Sequence, residues 1–227
     1  CGPRDSRRPR GEGFRGGAYK ALRPYGMAAA PTAVFVTLTG MLPKSYLVNQ
    51  LGGTLQGVYS FSYQLSNIVS LVQGGFAAFW GAYMFQNYKT QQPRIMKVHD
   101  FLNFVILVFF ACLVAFEDIL FLIFREYTHT QAKAIFPLMM LGAVFTILCE
   151  TTVYGNAIAR KPIFDTIGIG LSLVANLGLC FLLVPNYGLY GGAIAVAASG
   201  GVMYLFRTIT GQLLYRTIKQ PAKTAVA

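Results

Sequence analysis

Charge is what this sequence has least of. Asp, Glu, Lys and Arg make up 12% of its 227 residues, about half of the roughly 25% usual in a soluble domain. Too few charges remain to coat a water-facing surface. Residues 45–88 contain none, and neither do residues 166–206. Uncharged apolar runs beyond about 18 residues read as membrane spans. Each of these two runs is long enough for about two spans, or for one span with a turn and an interfacial piece. Histidine occurs only twice and cysteine four times. Cys112, Cys149 and Cys180 each fall in a different apolar segment, without a CxxC pair or a nearby His. Buried small side chains therefore explain them better than a metal or a disulfide. His99 and His129 are expected in loops without a ligand partner at metal spacing, so no metal and no cofactor is expected. Glu117 and Asp118 are the one adjacent acid pair. At i, i+1 they do not share a helix face, which argues against an enzyme built on paired carboxylates.

What the sequence does hold is apolar and basic. It is 55% hydrophobic with a mean hydropathy of +0.51, and its formal net charge is +11. In a soluble protein that charge would point to nucleic acid. Here the basic residues are not interleaved with stacking aromatics, so no nucleic-acid partner is expected. Instead, seven of the 19 basic residues crowd into the first 23 positions, and most others sit in short connections or the tail. That is where Lys and Arg orient membrane proteins.

The expected architecture is all-α: a bundle of about six transmembrane helices. Residues 1–23, basic and Gly/Arg-rich, read as a disordered linker, 24–216 as the membrane lobe and 217–227 as a tail. The apolar stretches place helices near 25–42, 57–85, 101–116, 134–159, 164–184 and 189–215. Ile119–Phe124 is apolar but too short to span, and reads as an interfacial piece or the end of a tilted helix. Pro185-Asn186-Tyr187-Gly188 is a turn signal. The even connections carry Lys89, Arg94 and Lys97, then Arg160 and Lys161. The odd connections carry fewer, or offset them with Glu117, Asp118 and Glu126. This alternation predicts both termini in the cytoplasm. The chain begins at Cys1 without a cleavable signal, and a segment N-terminal to it is expected.

Three segments carry a resemblance. Gly57-Val-Tyr-Ser-Phe-Ser-Tyr-Gln-Leu-Ser-Asn67 resembles the GxYSxAYKxxN opening of a helix in bacterial polysaccharide flippases. Asn176, followed by Leu182-Leu-Val-Pro-Asn-Tyr-Gly-Leu-Tyr-Gly-Gly-Ala-Ile-Ala195, is similar to their N…LLIPxYGxxGAAIAT signature. Phe124-Arg-Glu-Tyr127 resembles their xEY connection. Over roughly residues 20–216 the chain thus resembles the C-terminal lobe of Wzx-type flippases, in the multidrug/oligosaccharidyl-lipid/polysaccharide exporter superfamily. Where that family has an acid in a DRY sequence, this chain has Lys44-Ser45-Tyr46. Where it has a proline after AW, Gly81 follows Trp80. The resemblance implies a polyprenyl-pyrophosphate-linked oligosaccharide as cargo, and the bacterial inner membrane as location. It also implies a missing N-terminal lobe, or a second copy, as partner. A drug/cation antiporter or a peptidoglycan-precursor flippase of the same superfamily, an intramembrane enzyme and a scaffold remain open beside it.

Moving an anionic, hydroxyl-rich head group needs cations and hydrogen-bond partners shielded from lipid tails. Lys44 and Arg207 are the candidate cations. Each could hold phosphate or snorkel to the interface. Glu150, an acid within a membrane segment, is the candidate ion-coupling residue, with a structural ion pair as its other reading. Gln64 and Asn67, three residues apart and so roughly on one helix face, Gln73 and Asn176 could bond sugar hydroxyls or bridge neighbouring helices. Gly188 and Gly192 have the GxxxG spacing of close helix packing.

Overall fold

The computed structural model describes residues 12–87, 92–123, 130–159, 161 and 163–216. Its described residues form eight helices and no strand: α1 (Glu12–Leu51), α2 (Gly53–Ser66), α3 (Ile68–Asn87), α4 (Gln92–Ala115), α5 (Glu117–Ile123), α6 (Thr130–Ile158), α7 (Ile163–Tyr187) and α8 (Leu189–Arg216). The all-α membrane bundle is as expected. Five stretches are long and apolar enough to cross a bilayer: Gly53–Asn87, Lys97–Ala115, Gln131–Thr152, Ile163–Tyr187 and Leu189–Leu214. The expected count was about six. The expected first span, 25–42, lies in α1, part of whose side chains fall outside the described residues.

Several boundaries differ from expectation for physical reasons. Helix α1 begins at Glu12, inside the stretch read as linker. It runs through Pro31 and Pro43, as membrane helices can when neighbours satisfy the freed backbone. The apolar stretch 57–85 is divided at Asn67, which caps α2 with φ −70° and ψ −8°. The turn signal at Pro185 does not end α7, which continues through it to Tyr187. The reversal is made by Gly188 alone, at φ +55°, a backbone conformation that glycine adopts without steric cost. Its N–H bonds Val184 O at 2.9 Å, the usual way a helix end satisfies a late carbonyl. Gly188 is therefore a turn residue, not half of a packing pair. His99, expected in a loop, lies within α4 and is buried. The Phe124–Tyr127 connection, His129, residues 1–11 and residues 217–227 lie outside the described residues.

Helix α6 is the hub. Of its spanning window 56% is buried inside the bundle, against 6% for that of α4. Ile135, Phe136, Met139, Met140, Val144, Ile147 and Leu148 form its buried face. It packs most extensively on α8, which packs in turn on α7. The α6–α8 contact is backbone on backbone: a Cβ at Gly155 would lie 2.2 Å from Gly211 O, and one at Gly211 2.4 Å from Thr152 O. Only glycine permits this approach, the usual device where lipid gives helices no hydrophobic reason to associate.

Helices α2 and α3 lie against α6, held by Ser62 Oγ donating to Ala132 O (3.0 Å) and Trp80 Nε1 donating to Thr151 O (3.0 Å). Helix α5 prolongs α4 after a break at Phe116 and turns Phe121 inward, between Phe61 and Phe136. Lys133 and Asp118 pair across the α5–α6 connection. Outward faces carry large apolar side chains, including Leu71, Phe104, Val174, Leu182 and Leu205. In water so much exposed apolar surface would drive association, whereas toward lipid it is the expected state. Thr37, Thr39, Thr146 and Thr210 return their hydroxyls to carbonyls four residues earlier, the local bond open to such side chains within a helix.

Candidate functional site

A cavity of about 460 Å³ lies among α1, α2, α3, α6, α7 and α8. On α6 it reaches from Met139 to Glu150, and on α8 from Val196 to Arg207. At ~1.5 Å per helical residue that is about 16 Å of the bundle's length. Of the sequence candidates, Lys44, Asn67, Gln73, Glu150, Asn176 and Arg207 all line it. Gln64 does not: its residue is exposed, away from the cavity. Three residues along a helix leave a 60° offset at ~100° per residue. Here that offset separates a cavity-facing side chain from one facing outward.

Lys44 comes from α1, just after the buried Pro43. Its Nζ lies 4.5 Å from the centre of the Tyr63 ring, within cation–π range. Tyr63 stacks on the fully buried Tyr59 one turn earlier, with centroids 6.4 Å apart. This aromatic pair on α2 was not singled out as part of a site in the sequence. Its i, i+4 spacing was the available signal.

Gln73 and Glu150 meet across the α3–α6 contact, with Gln73 Nε2 donating to Glu150 Oε1 at 3.0 Å. Glu150 is the carboxylate that lines the cavity, and it is half-buried. Asn67, at the α2–α3 break, also faces the cavity.

Asn176 is committed to its neighbour. Its Nδ2 donates to Ser199 Oγ at 2.9 Å, and Ser172 Oγ donates to Ser199 O at 3.0 Å. These bonds tie α7 to α8, so Asn176 forms cavity wall and interhelical bridge at once. Arg207 is 9% exposed and has an acid beside it: its Nε lies 3.5 Å from Asp165 Oδ1. The same oxygen accepts 2.7 Å from Asn156 Nδ2. Asp165 was not among the sequence candidates, because it stands immediately before the charge-free run 166–206 and reads as a connection residue.

A second polar cluster lies outside the cavity. Thr151 Oγ1 donates to Asn103 Oδ1 (3.3 Å), and the Asn103 amide meets His99 Nε2 at 3.0 Å. Among the described residues, no three His, Cys, Asp or Glu side chains converge as a metal site.

The fold and site define an all-α, multi-pass membrane bundle with a polar cavity buried between its helices. No protein-family model, curated protein or solved structure matches the chain.

Proposed function

We propose that this chain is one lobe of a transporter that flips polyprenyl-pyrophosphate-linked oligosaccharide across the bacterial inner membrane by alternating access. Both termini are cytoplasmic in this reading, and a second lobe or a second copy closes the cavity. The observation that carries it is the cavity itself. Lys44 and Arg207 line it within a largely apolar bundle, together with the Asn67 and Gln73 amides. Charged side chains in a bilayer are costly and are kept where they serve a pathway. Two cations with neutral hydrogen-bonding groups suit an anionic head group attached to sugars. The resemblance of the Asn176 and Pro185–Ala195 segments to polysaccharide flippases supports the same cargo. No bond is made or broken in the cycle. Glu150, held by Gln73 and open to the cavity, takes the coupling cation or proton.

Glu150 also favours a second reading, a drug/cation antiporter, in which that carboxylate receives a cationic substrate. One experiment separates the two. The full chain is reconstituted in proteoliposomes with a fluorescent polyprenyl-pyrophosphate disaccharide, and a membrane-impermeant quencher follows its transfer between leaflets. Parallel vesicles are loaded with a lipophilic cationic dye. Transfer of the pyrophosphate lipid above the rate of empty vesicles supports the flippase. Dye efflux without lipid transfer establishes the antiporter instead.

A further inference from the structure

Arg207 is placed as a cavity cation, yet an acid already lies beside it, and the geometry between them is poor. The guanidinium group prefers two parallel bonds to two oxygens. Asp165 presents one oxygen, Oδ1, at 3.5 Å from Nε. That oxygen is already taken at 2.7 Å by the Asn156 amide. At that distance Arg207 Nε has no hydrogen-bond partner although it is buried. The side chains of Arg207 and Asp165 are 10% and 18% exposed, so water compensates neither charge well. Arg207 lines the cavity, whereas Asp165 does not.

We infer that Asp165 is an internal counter-ion that holds Arg207 while the cavity is empty and yields it to the anionic head group when cargo arrives. This rests on the flippase reading and adds a positioning residue to it. A buried arginine without any partner would be strongly disfavoured, so an empty carrier needs a substitute for the cargo's charge. An ideal, bidentate partner would hold Arg207 too firmly for cargo to displace it. Asn156 sets the compromise by anchoring the carboxylate: its short bond holds Oδ1 in place, 3.5 Å from Arg207 Nε. The exchange also works in reverse: Asp165 reclaims Arg207 as the head group leaves, which promotes release. The other carboxylate at the cavity, Glu150, is held from α3 by the Gln73 amide and makes no ion pair with Arg207 among the described residues.

Asp165 and its amide partner Asn156 give opposite predictions. Asp165→Asn removes the competing charge, so affinity for the pyrophosphate head group rises about tenfold, the scale of an ordinary coupling between sites, and turnover falls. Asn156→Ala releases the Asp165 carboxylate to close on Arg207, so affinity falls while maximal turnover is kept or raised. The test uses the full chain in lipid nanodiscs with a fluorescent short-chain polyprenyl pyrophosphate, displaced by inorganic pyrophosphate. Initial flipping rates against cargo concentration in proteoliposomes supply KM and kcat. A purely scaffolding Asp165 would weaken binding in both variants, and that result overturns the inference. Wild-type binding with unchanged affinity in Asp165→Asn also overturns it and leaves the flippase reading standing. Absence of binding by the wild type overturns both. If Asp165→Asn does not accumulate, Asn156→Ala decides: a raised KM with kcat kept supports the exchange, and any other pattern refutes it.

Discussion

Replacing Gly155 by alanine tests the tightest contact in the bundle. The added Cβ would sit 2.2 Å from Gly211 O and 2.9 Å from Gly211 C. Even close carbon–oxygen contacts run to about 3.3–3.6 Å. Helices α6 and α8 must therefore part by about 1 Å, and the obstacle is backbone, which no rotamer change can clear. Overpacking of this kind costs about 1–3 kcal/mol, and the upper end applies here. Alanine recovers up to about 1 kcal/mol of helix propensity over glycine, leaving a net loss of about 2 kcal/mol. Gly178→Ala on α7 is the control, since a Cβ there meets nothing within 4 Å and should be neutral or slightly stabilising. Gly211→Ala strikes the same contact from the other side, so the double variant should lose less than the sum of the singles. The assay is reversible unfolding by SDS titration in mixed micelles, followed by far-UV circular dichroism. A Gly155→Ala midpoint at or above that of Gly178→Ala would refute the close α6–α8 approach.

Three further outcomes are expected. Trp80 is the sole tryptophan and is fully buried, so its emission should be blue-shifted and resist iodide quenching. Trp80→Phe leaves Thr151 O without that donor and should cost about 1 kcal/mol in the same SDS titration. Lys44→Met should lower pyrophosphate-lipid affinity several-fold, whereas Gln64→Ala should leave it unchanged; an equal effect of both in the nanodisc binding assay would refute the cavity assignment. Burial pushes the Glu117 carboxyl above the usual carboxylate range, although the Lys133 charge opposes the shift. The folded state then binds its proton more readily than the unfolded one, so stability falls as pH rises through the ordinary carboxylate range toward the raised value. Glu117→Gln should flatten that part of the pH–stability curve.

The positions of the helices were largely legible, because a bilayer demands long uncharged runs and this chain has them. The site was legible in part. Lys44, Glu150 and Arg207 stand out because charge in a span is rare, and all three reach one cavity. What the residues hid was non-local or conditional. Asp165 matters only because α7 and α8 lie antiparallel and bring Arg207 beside it. The break at Asn67 leaves no breaker residue to read, since its N–H still bonds Tyr63 O and Gln64 O. Pro185 reads as a stop in water, but in a span its lost hydrogen bond is tolerated. His99 was hidden by its charged neighbours Lys97 and Asp100, which look like a loop until α4 is seen to start at Gln92.

The single-residue reversal at Gly188 has a consequence for how the protein is made. Tyr187 ends one span and Leu189 begins the next, so no slack exists between them. The two helices are thus joined as a helical hairpin, a shape suited to entering the bilayer as a unit. The long charge-free run of residues 166–206 suits such a step, because nothing within it has to be dragged across against an electrical preference. Lengthening this turn would loosen the link between two spans that the fold joins through a single residue.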